Sequence, residues 1–418
     1  MPIDISIPVI IPKIGGYIFT WEDTGISINV SRIVVHKTDG RVTGELLGEI
    51  KEKDKIIVFL PPTQHNFSSE QTRDRLTKKL LLKYPGLPWE EMINQLSSGI
   101  HDRARQGEPV RELWTNAEDV KPPEPLLEPI LYRNIPTVIF GDKEACKSTL
   151  ALYFYFCLVL PWQDNPLELK VPQKSIKTLI LDWEAEGEVV QYFGKRIQQG
   201  ENLPALPILY RRCFMPLADD LERIHYWVEN TKAEMLIIDS LGAACGGELN
   251  KAEPALKFFS ALRELKRGSL IIAHNAKDPE TKKKTIFGSV FFQNYSRNIF
   301  ELVKGEEIEQ DSANIALFHR AVNIGRHHKP MSFQLHYNKT GITIARQPFD
   351  TAEFIKKITD TQRILETLKH GALKPKEIAK AIESNENVTR VLLSRLHKRG
   401  MVTPVEGGWG LATREEIS

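Results

Sequence analysis

Thr-Val-Ile-Phe-Gly-Asp-Lys-Glu-Ala-Cys-Lys-Ser-Thr, residues 137–149, is the stretch on which the reading of this chain turns. Thr137 to Phe140 is short, apolar and β-branched, which predicts a strand. A tight loop follows, and an apolar, aromatic-rich run from Lys147 to about Leu160 predicts a helix. Strand, loop and helix in that order gather free backbone N–H groups and the positive end of a helix dipole at one point, which makes an anion site. The spacing of Gly141, four residues, then Cys146, Lys147 and Ser148 is that of a phosphate-binding P-loop with one departure: Cys146 stands where the motif has glycine.

Glycine is usual at that position because the backbone lies close to the phosphates. Cysteine is among the smallest substitutes, so a tighter site is expected, not a lost one. The alternative is a chance Lys-Ser-Thr at a helix start, but strand, Gly141, Lys147 and Ser148 all fall in register. Gly141, Asp142, Lys143, Glu144, Ala145, Cys146, Lys147, Ser148 and Thr149 are therefore the candidate cradle for ATP. Lys147 is expected to bridge the β- and γ-phosphates and Ser148 to hold Mg²⁺. A thiol at a helix N-terminus beside a lysine is also a candidate reactive group.

Working outward, 418 residues exceed one ordinary domain. A hydrophobic share of 41% with 26% charged residues is that of a soluble globular protein. A net charge of +2 excludes a polybasic coating protein, so any nucleic-acid contact must be local. The longest apolar run, Leu150 to Leu160, is too short to cross a bilayer, and the N-terminus lacks the pattern of a secretory leader; a cytoplasmic protein with no membrane partner is expected. Cys146, Cys157, Cys213 and Cys245 have no metal-ligand spacing and read as reduced, mostly structural thiols.

Residues 1–15, with three prolines, are expected to be an extended arm. From Tyr17 to Leu60 the pattern is strand-like: Ile26-Ser-Ile-Asn-Val30 alternates and Asp39-Gly40 marks a hairpin. A helix opening at a capping box of Ser68 and Gln71, carrying Leu76, Leu80 and Leu81, and a second from Trp89 to Ile100 complete a small α+β module, residues 1–118, suited to recruitment or regulation. Residues 119–130, rich in proline, read as a stiff linker.

Residues 131–348 repeat strand then helix, which predicts an α/β fold with a parallel sheet. Thr178–Asp182 delivers Trp183, Glu184 and Glu186 at its carboxyl end, where parallel sheets hold ligands. Glu234–Asp239 is a buried strand closing on Asp239, the carboxylate expected to complete the Mg²⁺ shell with Ser148. Ser269–His274 with Asn275 ends a fourth strand in groups able to sense a γ-phosphate or orient water, although a lone histidine is more often a satisfied structural group.

Together these segments resemble the RepA-like branch of P-loop ATPases, within the AAA and RecA-type hexameric helicase superfamily and often carried on plasmids and prophages. The resemblance spans residues 130–345. It rests on Gly141 to Thr149, Leu181-Asp-Trp-Glu184, Ile237-Ile-Asp239-Ser240, His274 with Lys277, Gly288-Ser289 leading to Arg297, and His319-Arg-Ala-Val-Asn-Ile-Gly-Arg326. It implies a RecA-like P-loop NTPase core, Glu184 as general base with Glu186 the alternative, and a homohexameric ring with nucleotide between subunits. A ring needs a cation reaching across to the transferring phosphoryl group; Arg297, Arg320 and Arg326 are the candidates, Arg196 a weaker fourth, and each also reads as an ordinary surface or interface ion pair. The Lys277–Thr285 loop would face a central channel and track single-stranded DNA, or be a plain solvated loop.

Residues 351–418 change character: helices over Thr361–Leu368, Lys374–Ile382 and Glu386–Arg399, then a two-stranded wing, resemble a winged helix-turn-helix. Its third helix carries Asn387, Thr389, Arg390, Arg395, Lys398 and Arg399, with Val388, Val391, Leu392 and Leu396 expected to pack. With 12 Lys and Arg against 9 Asp and Glu, the segment suits duplex DNA or protein docking. The expected activity is Mg²⁺-dependent ATP hydrolysis in a DNA helicase or translocase of plasmid or phage replication. The rivals are an ATP-switched DNA-binding regulator and a loader or adaptor gripping a replication protein partner.

Overall fold

The computed structural model describes residues 6–36, 39–52, 55–106, 110, 112–113, 115, 121–275, 286, 291–305, 311–323, 325, 327–348 and 360–412. The first unit is a five-stranded antiparallel sheet of β1 (Val9–Lys13), β2 (Gly16–Trp21), β3 (Ile26–Val35), β4 (Val42–Glu52) and β5 (Lys55–Asn66), in sequence order. Helices α1 (Glu70–Lys83) and α2 (Trp89–Gln106) cover it. Alternation decides the burial: Phe19 and Trp21 on β2 with Ile26, Ile28 and Val30 on β3 face Met92, Ile93 and Leu96 of α2.

Two expectations for this unit change. Val9–Lys13 is no free arm; it is an edge strand hydrogen-bonded in register with β2, the place where a sheet tolerates Pro12. The cap of α1 is Ser69, whose hydroxyl accepts from Thr72 N–H, and not Ser68, which instead accepts from Val42 N–H at 2.9 Å. The unit is fastened to the core by Lys13 on Glu222 at 2.7 Å and by Arg32 on the carbonyl of Asp219 at 3.0 Å.

The core begins with β6 (Pro125–Leu127), β7 (Leu131–Tyr132), β8 (Pro136–Gly141), α3 (Lys147–Val159), β9 (Thr178–Asp182), α4 (Gly187–Gly200) and β10 (Tyr210–Arg212). It continues through α5 (Leu221–Thr231), β11 (Met235–Asp239), α6 (Leu241–Cys245), α7 (Ala252–Leu265), β12 (Gly268–His274), α8 (Phe291–Tyr295) and β13 (Asn298–Lys304). It closes with β14 (Ser312–Val322), β15 (Met331–Tyr337) and β16 (Ile342–Gln347). The nine-stranded sheet runs β10-β9-β11-β12-β8-β13-β14-β15-β16. The strands from β10 to β13 are parallel and the last three pair antiparallel. This mixed, mainly parallel sheet, with helices between its parallel strands, is the α/β fold expected of this region.

Every residue of α3 from Leu150 to Leu158 is buried, so this helix is apolar all round and must be covered on all sides. The sheet covers one side; Leu126, Leu127, Ile130 and Leu131 of the β6–β7 hairpin belong to the same cluster. The end of the proline-rich stretch thus packs on the core, because its leucines have an apolar helix to bury. On the opposite face, Phe258, Phe259 and Leu262 of α7 meet Leu236, Ile238 and Ile271.

The last unit is α9 (Asp360–Thr367), a 3₁₀ turn (Leu368–His370), α10 (Pro375–Ala381), α11 (Glu386–Lys398), β17 (Val402–Val405) and β18 (Gly408–Leu411), with Leu373 bridged to Trp409. The face of α11 that packs is Thr389, Leu393 and Leu396. Val388 and Val391, expected inside, are 47% and 51% exposed; the helix is rotated about its axis so that its β-branched pair looks outward.

Candidate active site

Strand β8 lies at the centre of the nine-stranded sheet, and its carboxyl end opens into the loop before α3. Gly141 is required there by packing: a Cβ would fall 2.4 Å from the carbonyl oxygen of Leu302 on β13. Glu144 and Cys146 both take left-handed backbone, at φ 64° and 60°. A side chain costs roughly 1–2 kcal/mol in that region. Glycine at position 146 would therefore answer two demands, backbone handedness and room for phosphate. The first bond of α3 runs from Leu150 N–H to the carbonyl of Cys146 at 3.0 Å. The amides of Lys147, Ser148 and Thr149 consequently have no helical carbonyl and are available to an anion.

Lys147 is 6% exposed, and its ammonium donates to the carbonyls of Asp142 (2.6 Å) and Gly141 (3.2 Å). Burial lowers its pKa, and Asp239 is the first of the charges that offset this. Ser148 Oγ donates to Asp239 Oδ2 at 2.7 Å, joining the first turn of α3 to the end of β11. Burial pushes the Asp239 carboxyl up to about 6, with Asp182 and Glu184 adding in the same direction and the Ser148 hydroxyl opposing.

Glu184 arrives from the end of β9. Ser240 Oγ donates to its Oε1 in a very short contact, and His274 Nε2 stands 3.8 Å from the same oxygen. Asn275, next along β12, donates from Nδ2 to Asp142 Oδ1 at 2.7 Å and from its amide to the Gly141 carbonyl at 3.3 Å. Glu144 to Thr149, Asp182, Glu184, Asp239 and His274 line one cavity of about 440 Å³, together with the apolar Ala151, Leu152, Val190 and Phe193 and with Tyr337. Strand ends far apart in sequence thus converge on one loop, as the carboxyl edge of a parallel sheet requires.

The arrangement meets what Mg-ATP demands. A hydroxyl and a carboxylate oxygen side by side suit a hard cation. Helix amides and a buried lysine suit phosphate oxygens. Residues 103–280 match the family model described as an AAA domain. That match supports a P-loop ATPase superfamily for this region. Among solved structures, the chain is similar to a KaiC-like protein of the hyperthermophilic archaeon Pyrococcus horikoshii, with 17% identity over 57% of this chain and 100% of that one, at a TM-score of 0.36. Similarity that low adds nothing to the reading of the site. No curated protein matches.

The arginines read from the sequence lie elsewhere. Asn298 pairs with Thr137 and Leu302 with Gly141, so Arg297 stands at the amino end of the parallel strands, at the opposite end from the Gly141–Thr149 loop of its own chain. Arg320 is held by Glu301, itself 5% exposed, with Nε 2.8 Å and Nη2 2.6 Å from Oε2. Arg196 donates to the carbonyls of Asn338 and Gly341. Arg326, Lys277, Gly288, Ser289 and the lysine loop to Thr285 lie outside the described residues. No helix among the described residues is long and apolar enough to cross a membrane.

Sequence reasoning passed over two neighbours of the site. In the sequence Asp182 figures as the end of a strand and as part of the Leu181-Asp-Trp-Glu184 signature, with no role of its own; the signal for one is an acid placed two residues before another acid at a strand terminus. Tyr337, whose hydroxyl lies 3.3 Å from Cys146 Sγ, comes from a strand nearly 200 residues away with no local signal at all.

Proposed function

We propose that this chain is a Mg²⁺-dependent ATPase that works as a ring-forming DNA helicase or translocase in plasmid or phage replication. The convergence of Glu184 and His274 on the Lys147–Ser148 turn carries the hydrolytic part. The loop from Gly141 and Lys147 would grip the triphosphate, and Ser148 with Asp239 would hold the metal. Mg²⁺ supplies charge neutralisation at the β- and γ-phosphates. Glu184 takes a proton from water, the water oxygen bonds to the γ-phosphorus, and the bond from that phosphorus to the β,γ-bridging oxygen breaks, giving ADP and phosphate. His274 lies beside Glu184 to orient that water.

Lys147 is the one Lys or Arg among the described residues lining the cavity. Charge developing on the γ-phosphoryl group calls for a second cation, which supports a ring in which a neighbouring copy reaches across. Arg297 fits that role best, because it is exposed and lies at the amino end of β13, away from the loop of its own chain. For the C-terminal unit, Arg395 and Lys398 on the outer face of α11 support contact with duplex DNA. The exposed Val388 and Val391 on the same helix favour a second reading, in which this unit docks a replication protein and the chain acts as a loader.

Measuring ATPase rate and particle size with no DNA, with single strands and with duplex tests these readings. Stimulation by single strands with assembly supports the motor. Slow hydrolysis with site-specific duplex binding points to an ATP-switched regulator, and indifference to both DNAs favours the loader.

A further inference from the structure

Asp182 closes β9 and is 2% exposed, yet none of the steps above uses it. Its Oδ1 accepts two backbone hydrogen bonds, from Glu184 N–H at 2.7 Å and from Ala185 N–H at 2.8 Å. An acceptor so placed bends the chain sharply after the strand. The bend is held on every side. Trp183 N–H donates to the Asp239 carbonyl at 2.7 Å and its indole Nε1 to the Met215 carbonyl at 2.8 Å, while Tyr210 Oη donates to the Ala185 carbonyl at 2.8 Å. Arg212, paired with Asp182 across β10 and β9, donates to the Asp182 carbonyl at 3.2 Å and brings Nη1 to 3.9 Å from Oδ1. Were the strand to run straight on, nothing would aim Glu184 at Ser240 and His274.

We infer that Asp182, backed by Arg212, is the positioning residue for Glu184: its carboxylate ties down the two amides that set the direction in which the catalytic acid projects. This rests on the reading of Glu184 as general base. A misplacement of about 1 Å costs on the order of 10²-fold in rate, without any need for weaker nucleotide binding.

The experiment uses the full-length chain and four variants, Asp182→Ala, Asp182→Asn, Glu184→Gln and the double variant Asp182→Ala/Glu184→Gln. It reads Kd for a fluorescent ATP analogue and kcat and KM for ATP. Asp182→Ala should lower kcat by about 10- to 100-fold while Kd stays within about threefold. Asp182→Asn keeps an acceptor oxygen for both amides and should recover most of that loss, and the double variant should be no slower than Glu184→Gln alone. Unchanged kcat in Asp182→Ala beside an inactive Glu184→Gln would overturn the proposal. So would loss of nucleotide binding in both Asp182 variants, which would make the residue merely structural, or an Asn variant as slow as the Ala one. Near-normal turnover in Glu184→Gln would remove the base assignment itself, and that result is read on a different variant from those that test Asp182.

Discussion

Tyr337 Oη lies 3.3 Å from Cys146 Sγ, so the end of β15 touches the position in the phosphate loop where glycine is usual. Cys146 and Tyr337 both line the cavity next to the loop. Cys146→Gly should tighten nucleotide binding, because it removes the side chain and the left-handed backbone cost of roughly 1 kcal/mol together. Alkylating Cys146 in the unmodified protein should block binding. Calorimetry of both preparations with Mg-ATP checks this; weaker binding by the glycine variant would mean that the thiol–tyrosine contact holds the loop in shape.

If Lys147 grips the nucleotide and Glu184 is the general base, as proposed, their substitutions should separate. Lys147→Ala removes the buried ammonium and is expected to abolish nucleotide binding. Glu184→Gln keeps size and polarity, so binding should persist while hydrolysis falls by about 10²-fold or more, the scale for loss of a positioned base. Turnover near the wild-type rate in Glu184→Gln would pass the role to Glu186.

Asp239 gives the site a pH dependence of known sign. Its carboxyl titrates near 6 in the folded protein, against an ordinary value of 3.8, because burial disfavours the anion. If Asp239 holds Mg²⁺ as proposed, it would do so as the anion, and a proton would compete with the metal as pH falls through about 6. Mg-ATP affinity should be flat above pH 7 and drop about tenfold per pH unit below the titration. The free protein should respond oppositely: its folded state binds the proton more readily than the unfolded one, so this group's contribution to stability fades as pH rises from 3.8 to about 6. Titrating binding and melting temperature over one pH series checks both signs.

His65 makes the N-terminal unit acid-sensitive. It is 4% exposed, and burial, with repulsion from Arg73, lowers its pKa from 6.5 to about 4. The unfolded chain binds a proton that the folded one refuses, so stability is whole above pH 6.5 and declines down to about 4. The loss amounts to about 3 kcal/mol at the acid end. Urea unfolding followed by tryptophan fluorescence should show the decline, and His65→Leu should flatten it.

The two readings of the C-terminal helix separate by charge. If α11 enters duplex DNA, Arg395→Ala and Lys398→Ala should weaken binding across sequences and lower the slope of log affinity against log salt by about 1 each. If it docks a protein, Val388→Asp should abolish capture of the partner while DNA binding is untouched. Arg390 is a poor probe for either, because it is already paired with Glu386 at 2.7 Å.

What the amino-acid order determined alone was local: the strand and helix around Gly141–Thr149, the apolar strands that end at Asp182, Asp239 and His274, and the three helices and hairpin at the C-terminal end. Those signals are periodicity, chain breakers and spacing, and each acts within a few residues of itself. The tertiary structure alone decided which ends meet. Sheet order places β12 between β8 and β11, which puts Asn275 on Asp142 and Ser148 on Asp239, and leaves Arg297 at the wrong end of β13 for its own site. It also decided that Leu126 and Leu127 belong under α3 and that Val388 faces out, because burial depends on which apolar surface is left uncovered nearby. Hydrogen-bond partners and burial are properties of the assembled chain, and no window of sequence contains the other half of a contact made 191 residues away, as Cys146 with Tyr337 shows.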